Sequence, residues 1–217
     1  MAILAQEIIN DAKILLNDPQ GIIYPDNALL PLLKKAHREL QQRLSRSGQQ
    51  QTKEVSTTIS VASGTTRLGD GAGLPNDLIY PIWLKEKAQG APASDYVDMS
   101  QRSWEPTTAP QQELLLWVWR EDEIKFVGAL SNREVLIRYR KGYPLITSVS
   151  IPIGIMDSET FLTSRLAAIA AMVLGENYSR ADALNGDAEV AFDILTGVNT
   201  SQRQFRPVRR QRTRYRQ

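Results

Sequence analysis

Apolar residues recur along this chain with two different periods, and the change from one to the other divides it. Leu4, Ile8, Ala12 and Leu15 fall at helical spacing, and Asn17-Asp18-Pro19-Gln20-Gly21 then breaks the pattern with turn residues. Asp26 is the expected cap of a second helix, whose stripe is Leu29, Leu33, Ala36, Leu40 and Leu44. Pro31 is expected to bend or delay that helix, and Ser47-Gly48 to close it. From Thr52 the period becomes two. Val55, Thr57, Ile59 and Val61 alternate with polar neighbours, and Leu78 to Lys87 reads as a further strand. Glu113–Arg120 and Glu123–Val127 read as a hairpin turning at Glu121-Asp122. Leu114 through Trp119 is apolar throughout, so neither face of that strand favours water. The strand Arg133–Lys141 sets Val135, Ile137 and Tyr139 against Arg138 and Arg140. After Gly142-Tyr143-Pro144 the helical period returns.

The segment from Asp157 to Leu195 is the most apolar part of the chain. Asp157 is the expected cap, with Glu159 in the first turn, where the helix dipole favours an acid. Leu162, Leu166, Ile169 and Val173 line one face, while Ala167, Ala168, Ala170, Ala171 and Met172 fill the other. A helix apolar all round is expected to be buried all round. Arg165 and Glu176 bracket only ten uncharged residues, too few to span a bilayer. Ser179-Arg180-Ala181-Asp182 reads as the capping box of a last helix, with Leu184, Ala188, Ala191, Phe192 and Leu195 buried and Thr196-Gly197 as its end. The organisation predicted is α+β: a four-helix part from 1–51 and 145–198, an inserted antiparallel β-subdomain at 52–144, and a tail at 199–217. The ends of the insertion are expected near the helices. Leu115, Trp117 and Trp119 on the two-sided strand, and Met172 on the all-apolar helix, are the candidates for contact between subunits.

Composition narrows the chemistry. With no cysteine there is no disulfide, thiolate metal site or thiol nucleophile, and His37, the single histidine, sits one position off a buried stripe. Asp157 with Glu159, and Glu121-Asp122-Glu123, could pair as catalytic carboxylates, but each is already explained as a helix start or a turn. Gly69-Asp70-Gly71-Ala72-Gly73 resembles a phosphate loop only superficially, because Leu74-Pro75 follows where a helix should begin. The reading is of no enzyme, no cofactor and no metal. No charged and apolar leader opens the chain, so synthesis inside the cell is expected.

Charge is distributed unevenly. The net charge of +2 includes seven arginines after Asp193, a stretch with no acid; without them 19 basic residues face 24 acidic ones, a balance of −5. Arg210, Arg212, Arg214 and Arg216 recur every second residue, which places them on one side of an extended strand. Three readings of this tail stand side by side: a solvated end, a nucleic-acid arm using phosphate contacts and stacking of Phe205 or Tyr215, and a peptide docked on a partner protein.

Several stretches resemble the head-to-tail adaptor (connector) proteins of tailed bacteriophages. Leu15-Leu16-Asn17-Asp18, Tyr24-Pro25-Asp26 and Leu33 to Leu44 are similar to that family's opening helix, turn and second helix. Glu134-Val135-Leu136-Ile137-Arg138-Tyr139, followed by Tyr143-Pro144, resembles its closing strand. Gly175-Glu176-Asn177 and Arg180-Ala181 through Leu195 resemble its terminal hairpin. The resemblance implies a homo-oligomeric ring, commonly a dodecamer, in the virion neck beneath the portal protein. Genomic double-stranded DNA would pass through its lumen, a tail or nozzle protein would sit below, and no membrane would be involved. Arg203, Phe205, Arg206, Arg209, Arg210, Arg212, Arg214, Tyr215 and Arg216 would form the portal-binding tail. The β-rich middle departs from helix-only connectors. A body of charge −5 suits a DNA conduit, since like charge discourages adhesion to phosphate. The alternative is a nucleic-acid-binding protein using its arginine arm, and a third reading is a carboxylate-based hydrolase.

Overall fold

The computed structural model describes residues 3–69, 73–105 and 109–201. In chain order the elements are β1 (Ile3–Leu4), α1 (Ala5–Leu15), α2 (Asp26–Arg46), β2 (Lys53–Val55), β3 (Ile59–Val61), β4 (Arg67–Leu68) and β5 (Leu78–Ala88). Then come β6 (Val97–Asp98), β7 (Ser100–Gln101), β8 (Leu116–Arg120), β9 (Glu123–Phe126), β10 (Arg133–Lys141), β11 (Pro152–Ile153), α3 (Glu159–Val173) and α4 (Tyr178–Ser201). The fold class is α+β.

The helices share one core. Leu29, Leu33, Ala36, Leu40 and Leu44 of α2 are all fully buried, as their spacing requires. They meet Ile8, Ile9 and Ala12 of α1, Leu162 and Leu166 of α3, and Ala181, Ala188 and Leu195 of α4. Alanines on α3 let α4 lie close along it. The pair β1–β11, antiparallel with Ile3 opposite Ile153, closes one side of this bundle and was not legible as strands. α2 begins at Asp26 with Pro25 as its cap, so Pro31 lies inside it without delaying it. The cost is confined to one carbonyl, that of Asn27, which loses the donor four residues on.

A second core lies among the strands. β10 is central to one sheet: β5 pairs along one edge, and β2 and β3 divide the other. The alternation from Val55 to Val61 therefore forms two short strands rather than one. Ser56 separates them, its N–H donating to the Ile137 carbonyl at 2.8 Å and its Oγ accepting from the Ile137 N–H at 3.0 Å. The second sheet has the order β4-β9-β8-β7, with the β8–β9 turn at Glu121 and Asp122, both in left-handed conformation (φ 56° and 58°). That is the backbone a tight hairpin turn needs. The chain passes from one sheet to the other at Met99, whose N–H donates to the Leu84 carbonyl while the next residue, Ser100, donates to Leu115. Ile59, Val61, Leu84, Trp117, Ile124, Phe126, Val135 and Ile137 fill the space between the sheets.

Three helix boundaries differ from expectation. α3 is preceded by Ser158, not capped by Asp157; Asp157 has φ 56°, and the Ser158 hydroxyl donates to the Ile155 carbonyl at 2.7 Å. α4 starts two residues early, because the Asn177 side chain accepts the Arg180 N–H at 3.0 Å. It also runs through Thr196-Gly197 to Ser201. α3 is buried all round from Phe161 to Ala171 except at Arg165, but Met172, Val173 and Leu174 emerge at its end.

Candidate interaction surfaces

The loop between α1 and α2 is built around one carboxylate. Asp18 accepts the N–H groups of Ile22 (3.0 Å), Ile23 (2.8 Å) and Tyr24 (2.7 Å). Burial would raise its pKa, but these three donors and nearby Lys13 outweigh that and hold it below the ordinary carboxylate value. Asn17 and Gly21 supply the left-handed turns that curl the backbone around it (φ 58° and 67°). Lys13 pairs with Asp26 at 2.5 Å and pins the loop at its far end; its hydrogen bond, with one from Gln6, keeps the Asp26 carboxyl below its usual pKa. The turn between α3 and α4 packs on this loop. A Cβ at Gly175 would stand 2.2 Å from the Tyr24 hydroxyl, so only glycine fits without a shift, and the Arg180 guanidinium donates to the Leu15 carbonyl.

This rigid frame holds apolar side chains in solvent. Ile22 is 83% exposed and Ile23 66%, the two standing side by side on the locked loop. Met172, Val173, Leu174 and Tyr178 on the adjoining turn are exposed too. An apolar surface of this kind is a candidate contact site. A second such surface lies on the β side, where Ile79 and Leu145 are exposed and line a shallow trough with Asn76, Asp77, Gly142 and Pro144.

The four residues predicted to meet a neighbour are divided between surface and core. Met172 lies on the exposed helical end and Leu115 is exposed beside β8. Trp119 is half-buried against the strand core. Trp117 is a correction: it is 1% exposed, it fills the centre of the strand core, and its Nε1–H donates to the Met99 carbonyl at 3.3 Å. The chain's own two sheets cover it, so its side chain is not available to another subunit. The predicted tail residues, Arg203, Phe205, Arg206, Arg209, Arg210, Arg212, Arg214, Tyr215 and Arg216, lie outside the described residues.

No protein-family model matches the chain, and no curated protein matches it.

The titratable residues singled out as chemical candidates are placed as follows among the described residues. His37 is buried, edge-on to Tyr143 with ring centroids 6.4 Å apart, and burial pushes its pKa down. Glu121 pairs with Lys125 at 3.0 Å across its own turn, a hydrogen bond that lowers the Glu121 pKa and raises that of Lys125. Among the described residues no three His, Cys, Asp or Glu side chains are placed to hold a metal ion, and no helix is long and apolar enough to cross a membrane. Sequence reasoning missed Ile22 and Ile23. The available signal was an apolar pair inside a run of turn residues, where no core periodicity accounts for it.

Proposed function

We propose that this chain is a structural adaptor that assembles into a ring beneath the portal of a tailed bacteriophage, joining head to tail and continuing the DNA channel. The observation that carries the reading is the pair of dissimilar apolar surfaces on one small chain. A closed ring needs heterologous contacts, in which one patch of a subunit meets a different patch of the next. The Ile22–Ile23 loop with the Met172–Tyr178 turn supplies one, and the Ile79–Leu145 trough supplies the other. The order of helices, β insertion and helical hairpin supports the same reading through the resemblance described above. The β insertion gives such an adaptor a second face for a tail or nozzle protein, and the seven arginines after Asp193 provide the segment that would reach the portal.

The test is co-sedimentation of the purified protein with DNA-filled, portal-bearing heads, followed by imaging of the neck. Rings at the portal vertex are the expected result. Deleting residues 202–217 is expected to leave a folded protein that fails to join heads. Full attachment by the shortened chain would remove the tail from the mechanism. A second reading, nucleic-acid binding through the arginine arm, is favoured by the tail's composition alone. It predicts strong binding of duplex DNA by the isolated protein, falling steeply with salt, whereas the adaptor reading predicts none through the acidic body.

A further inference from the structure

We propose that a groove at the N-terminal end of α3 is the docking site for the chain's own terminal segment, residues 202–217. The groove combines two pockets that share one lining residue. One lies between α1 and α3 and is lined by Asp11, Ile14, Leu15, Glu159, Thr160 and Thr163. The other lies between α3 and α4, lined by Asp157, Thr160, Ala191, Ile194 and Leu195, and Thr160 is common to both. Its floor is apolar, with Ile14 and Ile194 both largely exposed. Its rim carries three carboxylates, those of Asp11, Asp157 and Glu159. None of them is paired with a lysine or arginine among the described residues, whose short ion pairs are formed elsewhere on the body.

An independent feature points to a ligand. Thr163 is only 7% exposed, and its Oγ1 has no hydrogen-bond partner among the described residues, yet it lines the groove. A buried hydroxyl without a partner costs free energy, and a rotation of the Thr163 side chain toward the groove would let an extended backbone there satisfy it. The required ligand is thus extended, cationic and partly apolar. Residues 202–217 have that chemistry: seven arginines for the rim, Phe205, Val208 and Tyr215 for the floor, and no acid. Arginine suits carboxylates by forming two parallel hydrogen bonds to one group.

Reach also favours this occupant. Leu195 lines the groove and α4 ends at Ser201, about 9 Å further along the helix axis. Sixteen residues follow, which extended span up to roughly 50 Å, and Pro207 cannot continue a helix. A tether of that length supplies an effective concentration on the order of millimolar, so a site with a dissociation constant of about 1 mM would be about half occupied. The docking does not depend on ring formation, and a tail held this way must be released before it can bind any other partner.

The experiment uses the full-length protein. With no native cysteine, Gln211→Cys offers a single attachment point for a nitroxide. The amides of residues 11–15, 160–164 and 191–195 are expected to lose roughly half their intensity to paramagnetic broadening, independently of dilution, while those of β7 are unchanged. Raising salt to about 0.5 M, where the screening length falls to roughly 4 Å, should restore them. So should Asp11→Asn with Glu159→Gln, and so should Gln at Arg209, Arg210, Arg212 and Arg214, a change that leaves the body untouched. Absence of broadening at low salt, its disappearance on dilution, or its persistence in the tail with those four arginines replaced would each overturn the proposal.

Discussion

If the locked loop is one half of a ring contact, replacing Ile22 and Ile23 together by serine is the most direct perturbation of assembly that spares the fold. The two side chains are 83% and 66% exposed, so together they hold about one and a half isoleucines' worth of surface for a partner to cover. Complete burial of one such side chain is worth about 1.5–3 kcal/mol, so the loss is roughly 2–4.5 kcal/mol per contact. At 1.4 kcal/mol for each factor of ten, association should weaken by roughly 25- to 1,600-fold. The loop itself should survive. Asp18 accepts backbone N–H groups from positions 22 and 23, and serine keeps both donors. Exposed substitutions of this kind usually change stability by no more than about 0.5 kcal/mol.

Sedimentation velocity over a concentration series reads the association, and a thermal melt reads the fold. The expected pattern is an unchanged melt with the oligomer boundary moved to much higher concentration. Assembly at the wild-type concentration by the doubly substituted protein would show that the loop takes no part in the contact. A lowered melt would instead mean that the isoleucines pack on the body more than their exposure indicates.

Other perturbations separate surface from core. Glu86 and Arg133 form a buried two-point ion pair (2.5 and 2.8 Å); Glu86→Gln should cost about 3–5 kcal/mol and roughly 6–20 °C in Tm by calorimetry, whereas Glu86→Leu with Arg133→Met should recover most of it. Trp117→Ala should cost about 3–5 kcal/mol and abolish the near-ultraviolet circular dichroism of the strand core, while Met172→Ser leaves the melt unchanged. His37 is buried in its neutral form, with a pKa below the ordinary 6.5, so the unfolded chain binds its proton first as pH falls. Stability should therefore be full above about pH 7 and decline below 6.5 toward the folded-state pKa; a His37→Phe variant that loses stability over the same window would assign the decline to other groups.

What the sequence made legible follows from how local each cause is. The α2 stripe could be read because its burial depends only on helical period, and all five predicted positions are buried. The end of α4 could not. Gly197 costs about 1 kcal/mol relative to alanine in a helix, yet the helix passes through it, and Thr196 satisfies its hydroxyl on the Phe192 carbonyl within the same turn. Its start was misplaced at Ser179, because Asn177 caps equally well and only the turn at Gly175 and Glu176, which packs on Tyr24, selects it. Trp117 lay in a run of six apolar residues with no inward face marked. Its burial is decided by the crossing at Met99, eighteen residues away. Glu86 stands between two lysines and reads as solvated; its partner is forty-seven residues distant. The candidate surfaces were half legible. Met172 was singled out from the apolar pattern of its helix and is exposed, whereas Ile22 and Ile23 needed the Asp18 cradle, which only three-dimensional geometry reveals.

The two cores bear on assembly through the seam between them. At that seam the Tyr143 hydroxyl donates to the Gln51 carbonyl at 2.6 Å and Arg138 donates to Gln50 at 3.0 Å, while the Tyr143 ring meets His37 edge-on. Beside it Tyr139 donates to Asp77 at 2.9 Å. Burial raises the pKa of both tyrosines, which keeps them protonated as donors at any physiological pH. Directional bonds of this kind fix an angle more strictly than an apolar contact of similar size, which tolerates sliding. One proposed ring surface is carried by the helices and the other by the foot of β5 and β10. The angle between them is therefore the angle held at this seam. In a closed ring that angle determines how many subunits complete the circle, so subunit number would be encoded in a few polar bonds between the cores rather than in the apolar patches that supply affinity.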